Sequence, residues 1–100
     1  MSNTDLLDLL LGDYRQRVLA QLLLQPDTSF HVRELARQTG TTPGTLTREL
    51  AKLTGVGLIR RATLGNQVRY QANRDCAVFD ELASLFRKTV MASPSEGNLV

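Results

Sequence analysis

Tryptophan is absent from this chain, and cysteine and histidine occur once each, at Cys76 and His31. A single thiol excludes an intramolecular disulfide and any structural zinc site built from several cysteines. Cys76 reads as a small, partly buried residue near the start of the last helix. His31 has no evident metal partners in the sequence and is placed to meet a backbone group or a phosphate. No Ser-His-Asp set, metal cluster or nucleotide-binding loop is present, so the chain reads as a non-enzyme without a cofactor. Long apolar runs are missing too. The leucine-rich opening is broken by Asp5, Asp8 and Asp13, short of the roughly 18 apolar residues that a membrane span requires. The start shows no basic region followed by a long apolar run and a small-residue cleavage site, so a cytoplasmic protein is expected. There is no internal repeat and no low-complexity block.

What remains is a chain of 100 residues with 42% apolar composition, enough for one domain and one modest core. The net charge of +2 is small, but its distribution is uneven. From Met1 to Phe30 two Arg face four Asp; from His31 to Arg74 eight Arg or Lys face two Glu, a block of +6; from Asp75 onward two basic residues face four acidic ones. A basic block between two acidic flanks points to a polyanionic partner for the middle of the chain.

That middle has a definite order. Val32, Leu35, Ala36 and Thr39 fall on one face of a 3.6-residue period, with Arg33, Glu34, Arg37 and Gln38 off it. Gly40 stops this helix, and Thr42-Pro43 starts another, because a threonine oxygen can cap orphan amides and proline lacks an N–H that the first helical position does not need. The second helix, from Pro43 to about Thr54, turns Leu46, Leu50 and Leu53 inward. Gly44, Arg48 and Lys52 project to the opposite side, flanked by Thr41 and Thr45. This is a helix-turn-helix pattern. A small leading end lets the backbone approach another surface, and a cation one turn later suits a phosphate or a guanine edge.

Beyond Gly57 the pattern becomes β-like. Leu58 and Ile59 open a strand running to Thr63, Gly65-Asn66 tolerates the positive φ of a tight turn, and Gln67 to Gln71 returns with Val68 and Tyr70 alternating with polar residues. Arg60, Arg61 and Arg69 decorate the hairpin and have no carboxylate close in sequence. The fold expected is mainly α with a small β-hairpin: a winged helix-turn-helix. The words "ELARQTGTTPGTLTRELAKLTGVGLIRR" and "GNQVRYQAN" resemble the ArsR-like winged-helix transcriptional regulators over about two thirds of the chain. The resemblance implies a sequence-specific regulator of double-stranded DNA. Thr42, Gly44, Thr45, Thr47 and Arg48 would then approach the major groove, Arg37 and Lys52 would hold phosphates, and Arg60, Arg61 and Arg69 would form a basic wing. Many such regulators sense metals through a "CVC" element in the first helix of the motif; here that helix reads "VRELARQTG", so that mode is not carried over.

On the flanks, Leu6, Leu7, Leu9, Leu10 and Leu11 form an apolar cluster, Gly12-Asp13 separates it from a helix over Tyr14 to Leu24, and Ser29 to His31 has the length of a short edge strand. The Tyr14–Leu24 helix carries a broad apolar face of Tyr14, Val18, Leu19, Leu22 and Leu23. A final helix, with Asp75 as its cap, carries Val78, Leu82, Leu85 and Phe86, widened by Phe79, Ala83 and Val90. This apolar surplus, as in ArsR-like dimers, predicts a homodimer through the terminal helices. The domain is expected to span 1–92, with a flexible tail at 93–100.

A second likeness covers almost the whole chain. The words "DLLLGDYRQRVLAQLLLQPDTSFHVRELAR" and "YQANRDCAVFDELASLFRKT" resemble the winged-helix segment that precedes a small nucleotidyltransferase domain in some proteins. The Gly-Ser loop and Asp-x-Asp pair of such an enzyme are absent, so no transferase activity follows. The alternative role is an interaction module that docks a separately encoded nucleotidyltransferase.

Overall fold

The computed structural model describes residues 4–91, and side chains within 6–89. The expected tail at 93–100 and the side chain of Val90 lie outside the described residues. In chain order come α1 (Thr4–Leu11), α2 (Asp13–Leu23), β1 (Phe30–His31), α3 (Val32–Thr39), α4 (Pro43–Gly55), β2 (Ile59–Leu64), β3 (Gln67–Ala72) and α5 (Phe79–Phe86), which continues as a π-helical turn over Arg87–Met91.

Local chemistry sets the boundaries of the central motif. His31 Nδ1 accepts from the Arg33 amide at 3.3 Å and caps α3. At its other end Gly40 takes φ 71°, a left-handed conformation that a side chain would strain, and its N–H reaches the carbonyls of Ala36 and Arg37. Thr42 Oγ1 then accepts from the Thr45 amide at 3.3 Å, with Pro43 in the first turn of α4. Buried Thr39 donates its hydroxyl to the Leu35 carbonyl at 2.8 Å, so a polar group enters the core with its partner supplied.

The three strands form an antiparallel sheet in the order β1-β3-β2. Phe30 pairs with Tyr70 and Ile59 with Ala72, all of them buried, and this identifies the face turned to the helices. Positive φ at the hairpin turn falls on Gly65 alone, the first of two central positions, as in a type II′ turn; Asn66 does not share it. The core joins Leu35 and Ala36 of α3 with Leu46, Leu50 and Leu53 of α4, Val18, Leu19, Leu22 and Leu23 of α2, and Phe79, Ala83 and Phe86 of α5. Leu7 of α1 is fully buried among them.

Two expectations are corrected. The broad face of α2 is not surplus, because Val18, Leu19, Leu22 and Leu23 are all buried within this chain, and only Tyr14 of that set is half-buried. Nor does Asp75 cap the last helix. It lies four residues before α5 and its carboxylate accepts from Arg60, while the α5 cap position, Val78, offers no side-chain acceptor. Asn73 organises this corner instead: its Nδ2 donates to the Gly57 carbonyl at 2.9 Å and its Oδ1 accepts from the Asp75 amide at 3.0 Å. Asp80 and Glu81 in the first turn of α5 complement the positive end of its dipole.

Candidate nucleic-acid interface

The outward face of α4 is built from Thr42, Gly44, Thr45, Thr47, Arg48 and Lys52, all exposed. Its leading end is ordered by its own hydroxyls. Thr42 Oγ1 lies 3.0 Å from Thr45 Oγ1, and Thr47 donates to the Pro43 carbonyl at 2.8 Å. Thr42 and Thr47 thereby donate their hydroxyl protons within the chain and keep lone pairs for a base-edge donor, while the Thr45 hydroxyl can still donate to an acceptor such as a phosphate oxygen. A Cβ built on Gly44 would meet nothing within 4 Å in this chain, so a glycine there answers to no contact inside the fold. Arg37 projects from α3, also exposed.

Among the described residues, Arg37, Arg48, Lys52 and Arg61 take part in no ion pair; the pairs present are Arg15–Glu49, Arg17–Asp13, Arg60–Asp75 and Arg74–Asp27. Arg33 is a cation that the sequence reading left out of the site. It is exposed, has no ion pair among the described residues, and stands four positions before Arg37 on the same side of α3. Like charges at that spacing disfavour a helix by a few tenths of a kcal/mol unless an anion lies across them. The spacing itself was the available signal.

The hairpin divides its three arginines. Residues two apart share a face, so Arg61 and Thr63 continue the core-facing row begun by Ile59, while Arg60, Ala62 and Leu64 lie on the other face opposite Gln71, Arg69 and Gln67. The expectation that all three escape local pairing fails at Arg60, because the chain reversal after β3 brings Asp75 against it. Arg69 has only neutral partners: Nε donates to Ser29 Oγ at 2.8 Å, Nη2 to the Ser29 carbonyl at 2.9 Å and Nη1 to Gln67 Oε1 at 2.8 Å. Arg61 alone of the three is both unpaired among the described residues and on the helix side of the sheet.

One ion pair beneath α4 holds it in place. Arg15 of α2 forms a two-pronged pair with Glu49, which is buried on the inner side of α4; the contact raises the already high pKa of the Arg15 guanidinium. Tyr14, next to it, has a buried hydroxyl that lies near the Thr41 side chain without the distance and angle of a full hydrogen bond. Burial raises its pKa above 10.0, with the neighbouring Thr41 side chain opposing, the Glu49 charge adding, and the Arg17 and Arg48 charges opposing. Arg17 also covers the turn itself, since its Nη1 is 3.4 Å from where a Gly40 Cβ would stand. No cluster of three or more metal-ligating side chains occurs, and no helix is long and apolar enough to cross a membrane, among the described residues.

Solved structures share this architecture. The chain is similar to the antimony-specific transcriptional repressor AntR, with a TM-score of 0.65 at 23% identity, covering 92% of this chain and 79% of that one. It is also similar to a double mutant of ZitR from Lactococcus lactis in apo form, with a TM-score of 0.63 at 21% identity, covering 100% of this chain and 84% of that one. Against another structure of a ZitR double mutant the TM-score is 0.61 at 21% identity; the match covers 86% of this chain but 60% of that one, less than two thirds of its length. No protein-family model matches the chain, and no curated protein sequence does so significantly. Identities in this range establish the fold: a winged helix-turn-helix, mainly α with a small antiparallel sheet, as the sequence predicts.

Proposed function

We propose that the chain is a sequence-specific double-stranded DNA-binding transcriptional regulator of the ArsR-like kind, a non-enzyme working in the cytoplasm as a homodimer. The observation that carries this reading is the outer face of α4, where small and hydroxyl-bearing residues at the leading end are followed by Arg48 and Lys52 with no ion pair among the described residues. The fold's likeness to a transcriptional repressor agrees with it.

In this reading α4 lies in the major groove, with Gly44 admitting close approach and Arg48 meeting a base edge. Arg37, Arg33 and Lys52 neutralise phosphates, and Arg61 is the wing's contribution. Leu6, Leu9 and Leu10 are exposed on α1, beside the π-helical turn that follows α5, and form the surface for a second copy. A two-fold pair would set its recognition helices about one turn of DNA apart, roughly 34–36 Å, and require a nearly palindromic site.

Salt titration tests the reading. Neutralisation of phosphates requires duplex affinity to fall steeply and linearly in a log–log plot as salt rises, and a selection from random duplexes should return a recurring half-site. Absent or salt-independent duplex binding would overturn it and favour the docking module for a separately encoded nucleotidyltransferase.

A further inference from the structure

We infer that the outer face of the wing sheet holds a second site, distinct from the α4 surface, for a small organic anion with a short apolar body. The hollow is about 240 Å³; Arg60, Ala62, Leu64, Arg69 and Gln71 line it from the outer face, and Ser29 and Thr63 complete its lining. Strand alternation sets it on the face opposite Arg61, away from the side on which the helices pack.

Arg69 is the centre of the argument. Its guanidinium is half-buried and fixed by Ser29 and Gln67, all three contacts being neutral, so its charge has no carboxylate among the described residues. Three of its five N–H groups are engaged, which leaves two donors in a fixed plane. A preorganised, partly desolvated guanidinium with free donors is suited to a carboxylate or phosphate oxygen pair. Arg60 stands at the rim with its charge offset by Asp75, so the unbalanced charge of the hollow is that of Arg69. Gln71 donates Nε2 to the Pro26 carbonyl at 2.9 Å, which fixes its side chain along the wall of the hollow. Ala62 and Leu64 supply the apolar wall, and Leu64, at the end of β2, is 69% exposed. The volume is below the roughly 300 Å³ at which drug-sized pockets begin, so the ligand is small. The site does not require the DNA-binding reading to be correct.

The test uses the isotope-labelled full chain and its amide chemical shifts, with benzoate as probe. Benzamide serves as the uncharged isostere, inorganic phosphate as the anion lacking an apolar body, and a DNA duplex as the competing polyanion. Benzoate should give saturable shifts centred on Ser29, Leu64, Arg69 and Gln71 in the millimolar range, with benzamide at least about tenfold weaker, the worth of one charge-assisted hydrogen bond. Ala62→Glu sets a carboxylate beside its cross-strand partner Arg69 while keeping the Ser29 and Gln67 contacts, and should abolish the response with the fold unchanged. Arg69→Gln should do the same. Equal binding of benzamide, or shifts that do not saturate, would overturn the site. So would phosphate binding as tightly as benzoate, or a duplex moving these same amides and displacing benzoate; the latter would make the face part of the DNA contact, without affecting the α4 assignment.

Discussion

Arg15 and Glu49 join α2 to the middle of α4 through two hydrogen bonds, Nε to Oε2 at 2.5 Å and Nη2 to Oε1 at 3.2 Å. Glu49 is 6% exposed, on the inner side of the helix whose outer side carries the candidate contacts. The pair thus fixes the roll of α4 relative to α2. Arg15→Ala leaves a buried carboxylate without its partner and should cost about 2–3 kcal/mol, below the full penalty for a buried ion because the Arg15 side chain is 42% exposed. Glu49→Gln keeps one acceptor and should cost about 1 kcal/mol. Urea unfolding at neutral pH measures both; equal and negligible losses would remove the pair from the account of α4 placement.

Arg48 is the side chain expected to carry base discrimination. Arg48→Ala should weaken specific duplex binding by about 1–3 kcal/mol and relax preference at one position, with the unfolding midpoint unchanged because the residue is exposed and unpaired among the described residues. Affinity and preference that both stay as in the wild type would take Arg48 out of the contact set.

For the wing, the division of faces turns one expectation into two. Arg61→Gln should lower affinity on all duplexes alike and flatten the salt slope by about one unit, as for loss of one phosphate contact. Arg60→Gln, whose charge is already offset by Asp75, should change the slope far less. Fluorescence anisotropy across a salt series distinguishes them, and a reversed order would place the DNA on the other face of the hairpin.

How far these features were legible in the sequence follows from what each depends on. The helix-turn-helix was legible because its determinants are local: Gly40 at positive φ, Thr42 as cap, and the inward spacing of Leu46, Leu50 and Leu53. The hairpin was equally local, whereas the short strand, expected at Ser29–His31 and found at Phe30–His31, showed only as an extended segment of the right length, its partner Tyr70 lying forty residues on. What escaped were contacts between residues distant in the chain. Arg60 and Asp75 are fifteen residues apart, and Arg15 and Glu49 thirty-four, so no periodicity reports them. The role of Asn73 was hidden for the same reason, since its partner Gly57 lies across the sheet. The broad face of α2 looked wider than needed because its leucines were counted without α1, α3, α5 and β3, which pack on it.

Tyr14 offers a test at high pH. Its hydroxyl is buried near the Thr41 side chain without a full hydrogen bond, and burial raises its pKa above 10.0, so the folded state favours the neutral phenol more than the unfolded chain does. The corresponding stability is fully present below pH 10.0 and is lost as pH rises through the folded-state pKa. Tyr14→Phe should be neutral or slightly stabilising at pH 7, because it removes an unsatisfied hydroxyl, and should lose less stability than the wild type on going above pH 10.0. Thermal unfolding at the two pH values compares them. A marked loss at pH 7 would show that the hydroxyl is bonded in solution, with Thr41 the nearest candidate.

Dimerisation through the terminal helices is the prediction with the widest consequence. A single recognition helix contacts only a few base pairs, which rarely gives the specificity that a genome demands. On α1, Leu6 is 47% exposed, Leu10 62% and Leu9 83%, while Leu7 between them is fully buried and anchors the helix to the core. This arrangement exposes three leucines on a helix held rigidly from below, and a second copy would cover them. The place for a disrupting charge follows from the burial. Phe86 is fully buried and its replacement by Asp would break the core, and Leu82 is half-buried, so neither isolates the interface. Leu9→Glu and Leu10→Glu alter exposed positions instead. Each should leave the monomer folded, shift sedimentation toward the monomer at tens of micromolar, and weaken binding to a palindromic duplex at least about tenfold while sparing a single half-site. If the wild type sediments as a monomer at that concentration, or if both variants remain dimeric with full affinity for the palindrome, the α1 leucines are not the interface between copies.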